Sequence, residues 1–264
     1  MAGNLGKSEA ALLAYAQMRG LNLLRSGELL GPLGITKKQE QDLLSRMVRR
    51  GLIAQVRRGL YLVPPRLPLG GSWTPDEATA LNALMGDKQA RYQITGPNAF
   101  QRYGYDEQIP SRVYAYNDRT SGERTIGQVA LVLIRVAPAR LGDTETVRTP
   151  SGQTLVYSSR ARTLMDAVYE WSRFDSLPRA YDWIRRDLKA GRVEAADLVN
   201  SALRYGNQGT MRRIGVVLDE LGEQRALLRK LERALRSSTS QIPLVPGRPK
   251  RGRLDSRWGV VRND

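Results

Sequence analysis

Thr36, Lys37, Lys38, Gln41, Ser45, Arg46 and Arg49 carry donors and acceptors at helical spacing, and Arg57-Arg58-Gly59 follows them. The chemistry such side chains can perform is recognition. Lysine and arginine donate to phosphate oxygens, while glutamine, serine and arginine can pair with the edges of base pairs in a major groove. At about 100° per residue, Lys38, Gln41, Asp42, Ser45 and Arg49 fall on one helix face, flanked by Lys37 and Arg46. Leu43, Leu44, Met47 and Val48 form the opposite stripe, which must face a core. A polar helix face alone usually only meets solvent. What argues for nucleic acid is the next segment, where two β-prone runs, Leu52 to Val56 and Leu60 to Val63, flank Arg57-Arg58-Gly59. That pattern predicts a hairpin with a positive-φ glycine. A structural hairpin has no need of two arginines at its tip, whereas a wing lying on a DNA backbone does.

The elements that must hold these groups are legible upstream. Ser8 to Met18 is rich in helix formers and ends at Gly20. Ser26 is placed to cap a short second helix, Gly27 to Leu30, broken by Gly31-Pro32-Leu33-Gly34. The third helix opens on a capping box, Thr36-Lys37-Lys38-Gln39, and runs to Arg50, with Gly51 as its stop. Residues 1–66 are therefore expected to form a winged helix-turn-helix domain. Its expected partner is double-stranded promoter DNA with inverted repeats, bound by a dimer.

The 264 residues carry 42 Lys+Arg against 26 Asp+Glu, a formal net charge of +16, which suits a polyanionic partner. Residues 1–66 contribute +7 and the tail from 237 onward +4, so the charge is densest at the two ends. The chain has neither cysteine nor histidine. That excludes a thiol nucleophile, a Ser-His-Asp triad, a disulfide scaffold and the commonest metal sites. No catalytic, cofactor-binding or metal-binding residue is assigned. Gly6-Lys7-Ser8 has the wrong spacing for a phosphate-binding loop. No apolar window reaches the length of a membrane span and the start lacks a signal peptide, so a cytoplasmic protein without membrane contact is expected.

The proline- and glycine-rich segment 67–73 reads as a linker to a larger domain, 74–264. A second capping box, Thr74-Pro75-Asp76-Glu77, opens a helix to about Met85. Strands are predicted at Tyr92 to Thr95, Arg112 to Tyr116, Val129 to Val136 and Gln153 to Tyr157, with a short helix over 97–103. From 159 to 236 the pattern is helical: 160–171, 177–189, 194–205, 210–221 and 224–236. A mixed sheet block over 74–158, a helical region over 159–236 and a tail over 237–264 give an α+β class. Asp166 and Glu170 read as an ion-paired surface face, and Asp187 as salt-bridged beside Arg185 and Arg186. Tyr169, Trp171, Tyr181 and Trp183 read as core. Arg212, Arg213, Arg225, Arg229 and Arg233 predict a second basic face. The tail combines a basic run, Arg248 to Arg253, with the β-prone Trp258 to Arg262, for which a strand added to the domain's sheet is the favoured reading over a disordered arm.

Ile94-Thr95-Gly96-Pro97-Asn98-Ala99-Phe100, continuing through Tyr103 to Tyr114, resembles the central block of AbiEi-type antitoxins of type IV toxin-antitoxin and abortive-infection systems. Ser158 to Tyr169 resembles that family's next helix, and the order of elements matches over nearly the whole chain. The resemblance implies a transcriptional repressor of its own operon that also counters a nucleotidyltransferase-like toxin, without a stable complex, in phage defence. It transfers no toxin-neutralising residue. Two alternatives stand beside it. One is a regulator without a toxin, its larger domain serving dimerisation or ligand sensing. The other is a DNA-processing enzyme, which the missing histidine, cysteine and acidic cluster disfavour.

Overall fold

The computed structural model describes residues 5–66, 72–236 and 240–263. Most of the predicted linker, residues 67–71, lies outside them, as do 237–239 of the tail. The class is α+β, as predicted: helices and a small sheet come first, then a larger mixed region, then helices. The chain divides into two compact units. The first runs to Tyr92 and takes in Ser111–Val136 and Val147–Leu155; the second holds Gln93–Pro110, Ala137–Thr146 and the chain from Val156 onward.

The first unit begins with α1 (Lys7–Met18), β1 (Leu23–Arg25), α2 (Leu30–Leu33), α3 (Lys37–Arg49), β2 (Ala54–Arg57) and β3 (Leu60–Leu62). The strands form an antiparallel sheet in the order β1-β3-β2. Leu12, Leu13 and Ala16 of α1 close a core with Leu43, Leu44 and Met47 of α3, together with Leu24, Leu29, Leu52, Ile53 and Val63. The capping box forms as predicted: Thr36 Oγ1 accepts from the Gln39 amide at 3.3 Å, and Gln39 Oε1 accepts from the Thr36 amide at 2.8 Å.

The second helix is displaced from its expected place. Residues 26–29 form a turn, and the helix occupies Leu30–Leu33. The cause is Glu40, fully buried on α3. Its carboxylate accepts from the Gly27 amide at 2.8 and 3.0 Å and from the Leu29 amide at 3.1 Å. The first amides a Ser26 cap would have served are thereby bonded in a turn, with Gly27 at φ +100°.

The remainder of this unit holds α4 (Glu77–Asp87), β5 (Val113–Asn117), β6 (Gly122–Ile126) and β7 (Val129–Arg135), the strands in the order β6-β7-β5. β5 is parallel to β7, and β6 runs antiparallel to β7. Helix α4 starts two residues later than the second capping box implies. Asp76 is its cap, accepting from the Thr79 amide at 2.6 Å, while Thr74 Oγ1 accepts from the Gln128 amide at 3.0 Å. A carboxylate at the cap also answers the positive end of the helix dipole.

In the second unit β4 (Tyr92–Ile94) pairs in parallel with β9 (Thr154–Ser158), and β8 (Thr144–Arg148) flanks β9. Helix α5 (Pro97–Arg102) answers the short helix expected over 97–103; in the helical region come α6 (Arg160–Tyr169), α7 (Trp171–Phe174), α8 (Arg179–Lys189), α9 (Ala195–Tyr205), α10 (Gln208–Glu220) and α11 (Arg225–Ala234), the helix expected over 160–171 ending at Tyr169. Helix α6 packs among α8, α9 and α10, its Leu164, Met165, Ala167 and Val168 buried with Tyr181 and Trp183 of α8. Tyr169 packs against this core, whereas Trp171 is half-buried at the start of α7.

The tail does not join the larger sheet. Its own sheet is made by β10 (Ile242–Pro243), β11 (Arg253–Asp255) and β12 (Val260–Arg262), with β12 parallel to β10 and antiparallel to β11. Trp258 seals it onto α10. Gly215 makes room, since a Cβ there would lie 2.4 Å from the indole ring.

Candidate nucleic-acid interface

Helical phase alone decides which side chains α3 presents. Lys37, Lys38, Gln41, Asp42, Ser45, Arg46 and Arg49 are all exposed, and Leu43, Leu44 and Met47 are buried. Thr36 is exposed too, but its hydroxyl is engaged in the cap. The first turn of α3 places the exposed Lys37 and Lys38 at the positive end of the helix dipole, which favours an anion.

Arg46 is tied from behind. Its Nε donates to Glu9 Oε1 of α1 at 3.2 Å, and Arg50 Nη1 bonds the other carboxylate oxygen. Glu9 is only 2% exposed. Burial works against its charge, but the Gly6 amide and the two guanidiniums outweigh it and hold the carboxyl below its ordinary range. Arg46 keeps half its side chain exposed, at 49%, so the pair sets its direction and leaves a free edge.

The hairpin turns through Arg58 and Gly59, the latter at φ +79°, as the spacing predicts. The two arginines differ in their surroundings. Arg57 lays its guanidinium on Asp87, at the end of α4, through Nε at 2.6 Å and Nη2 at 2.7 Å. Arg25 of β1 approaches the same carboxylate at 3.6 Å. The Arg57 hydrogen bonds chiefly hold the Asp87 carboxyl below its ordinary range, with Arg25 and Lys88 adding attraction against a cost of burial. Arg58 is exposed and makes no ion pair with any described residue. Glu9, Arg25 and Asp87 are not legible in the sequence as partners of this surface, because Glu9 and Asp87 act across 37 and 30 positions of chain.

Other expectations change. Arg212 and Arg213 are buried: the first donates to the carbonyls of Trp258, Gly259 and Ser240, the second to those of Pro243 and Leu244. They hold the tail sheet, so the second basic face reduces to Arg225, Arg229 and Arg233, exposed on α11. Asp166 is fully buried rather than at the surface. It is ion-paired with Arg162 at 2.9 Å, because α6 is covered by its neighbours on several sides. Among the described residues no group of Asp or Glu side chains is arranged to hold a metal ion, and no helix is long and apolar enough to cross a membrane.

Three helices with a three-stranded sheet whose β2–β3 hairpin has a basic two-residue turn define a winged helix-turn-helix module. Residues 10–64 match the family described as "Transcriptional regulator, AbiEi antitoxin". Over those residues the chain is similar to this family of antitoxins, which are regulators of transcription. Over 98% of its length the chain is similar in fold to the crystal structure of the RV2827C protein from Mycobacterium tuberculosis, with a TM-score of 0.61, 14% identity and 92% of that chain covered. No curated protein matches the chain.

Proposed function

We propose that this protein is the cytoplasmic antitoxin of a type IV toxin-antitoxin system, binding inverted repeats in its own promoter as a dimer and repressing its operon. Residues 1–66 act as the DNA-binding domain, joined through 67–73 to the antitoxin domain, 74–264. Lys38, Gln41, Ser45 and Arg49 meet base edges in the major groove; Thr36, Lys37, Arg46, Arg57 and Arg58 meet the backbone. The larger domain counters a nucleotidyltransferase-like toxin, without a stable complex, in defence against phage. The observation that carries the DNA-binding half is the α3 face: an uninterrupted polar surface on a helix whose opposite side is sealed in a core.

The test is a promoter footprint and a salt titration with the full chain. Arg58→Ala should lower the slope of log affinity against log salt by about one unit. Gln41→Ala should relax preference at one base pair, at a cost of about 1–3 kcal/mol. Equal affinity for promoter and unrelated duplex, in parent and variants alike, would exclude α3 from base recognition. The toxin half is tested by co-expression with the adjacent gene product, whose growth arrest the full chain should relieve.

A further inference from the structure

We propose that the second unit carries a binding site for a phosphate monoester on a polyhydroxylated small molecule, a nucleotide or sugar phosphate, formed by Arg160, Arg186 and Arg192. The three arginines converge with Tyr103 and Gly104 on a hollow of about 260 Å³. Beneath them lies Asp187 of α8, fully buried. Its carboxylate accepts from Arg160 Nη1 at 2.9 Å, Arg192 Nε at 2.8 Å and the Tyr105 hydroxyl at 2.5 Å, with Arg186 Nε 4.0 Å away. Among these side chains three guanidiniums outweigh one carboxylate, a surplus of positive charge that suits a phosphate monoester dianion, opposed by the Glu145 carboxylate beside Tyr103.

The cluster is built to hold its shape. The Tyr103 ring lies 4.7 Å from the Arg160 guanidinium, and the Tyr105 ring 5.6 Å from that of Arg186. Arg186 Nη2 is fixed on the Gly104 carbonyl at 3.0 Å. Among the described residues Nη1 of Arg186 and Nη1 of Arg192 have no acceptor, and both side chains are exposed. Planar donors held from behind and open in front suit a tetrahedral oxyanion.

The rest of the ligand follows from the adjoining cleft of about 540 Å³, which shares Arg160 and Arg192 as its wall. Asp143, Glu145, Glu194, Asp197 and Asn200 also line it. These are groups that pair with hydroxyls, so a ligand seated by its phosphate on the arginines extends a hydroxylated body into this cleft.

The experiment is calorimetric titration of the full chain with inorganic phosphate, ribose 5-phosphate and cytidine 5′-monophosphate. Both esters should bind more tightly than inorganic phosphate. Arg186→Ala should weaken all three about tenfold, and Asn200→Ala should reduce only the advantage of the esters. Should Arg186→Ala lower the melting temperature, Arg186→Lys keeps the charge, removes the planar fork and poses the same question. No heat from any probe at millimolar concentration, or affinities unchanged by the Arg186 variants, would overturn the site. Equal affinity for phosphate and its esters would overturn the assignment to an ester, and displacement of ribose 5-phosphate by duplex DNA would reassign the arginines to nucleic acid.

Discussion

Arg57 and Arg58 are neighbours in sequence and opposites in circumstance. Arg58 is free to meet a phosphate, while Arg57 must first leave a bidentate contact with Asp87. Asp87 ends α4, where a negative charge opposes the helix dipole, so its removal spares the helix. Asp87→Ala is therefore expected to raise affinity for duplex DNA and steepen its salt dependence by about one unit, as Arg57 becomes available. A slope unmoved by the substitution would mean that Arg57 never reaches the duplex. This pairing could not be read from sequence, whereas the exposure of Lys37, Lys38, Gln41, Ser45 and Arg49 could. Helical phase is a local property, fixed by the apolar stripe at Leu43, Leu44 and Met47. An ion pair between distant elements depends on how the chain folds back.

The same division separates the elements. The start of helix α3 is legible to the residue because its capping box is self-contained, both partners lying within one turn. The turn before α2 was not, because its amides are satisfied by Glu40 from another element. Glu40→Ala leaves the amides of Gly27 and Leu29 without their acceptor, and of the two only Leu29 is buried. It should cost about 1–3 kcal/mol of stability, measured by urea unfolding of the full chain, with the loss in the winged module. A loss under about 0.5 kcal/mol would show that water replaces the carboxylate. Strands β1, β6 and β8 escaped prediction for a different reason. β1 spans only three residues and is defined by pairing with Leu60–Leu62. β6 and β8 read as Gly-Glu-Arg-Thr-Ile and Thr-Glu-Thr-Val-Arg, mostly exposed, with no clean alternation to betray a buried face.

For the molecule as a whole, net charge is a poor guide to where cations are available. Arg212 and Arg213 look basic in sequence, yet they are spent on backbone carbonyls of the tail. Buried charge also sets the response to pH. Burial lifts the Asp166 carboxyl from 3.8 to about 6, against the attraction of Arg162 and Arg140 and with some repulsion from Glu170. With its pKa raised on folding, Asp166 destabilises the folded state as pH rises from about 4 to 6 and no further above that. The stability of Asp166→Asn relative to the parent should therefore climb across that interval and level off beyond it, as followed by thermal unfolding. A difference independent of pH would show that Asp166 ionises in the folded protein as readily as in water. The order of assembly along the chain has a consequence in time. The core of the winged module closes with Val63, whereas that of the second unit draws on residues from Phe100 to Val260. At typical rates of synthesis the interval is roughly 10–40 s. During it, each nascent chain presents a finished α3 face on a molecule whose second unit does not yet exist, so any grip of that face on nucleic acid precedes whatever work the second unit does.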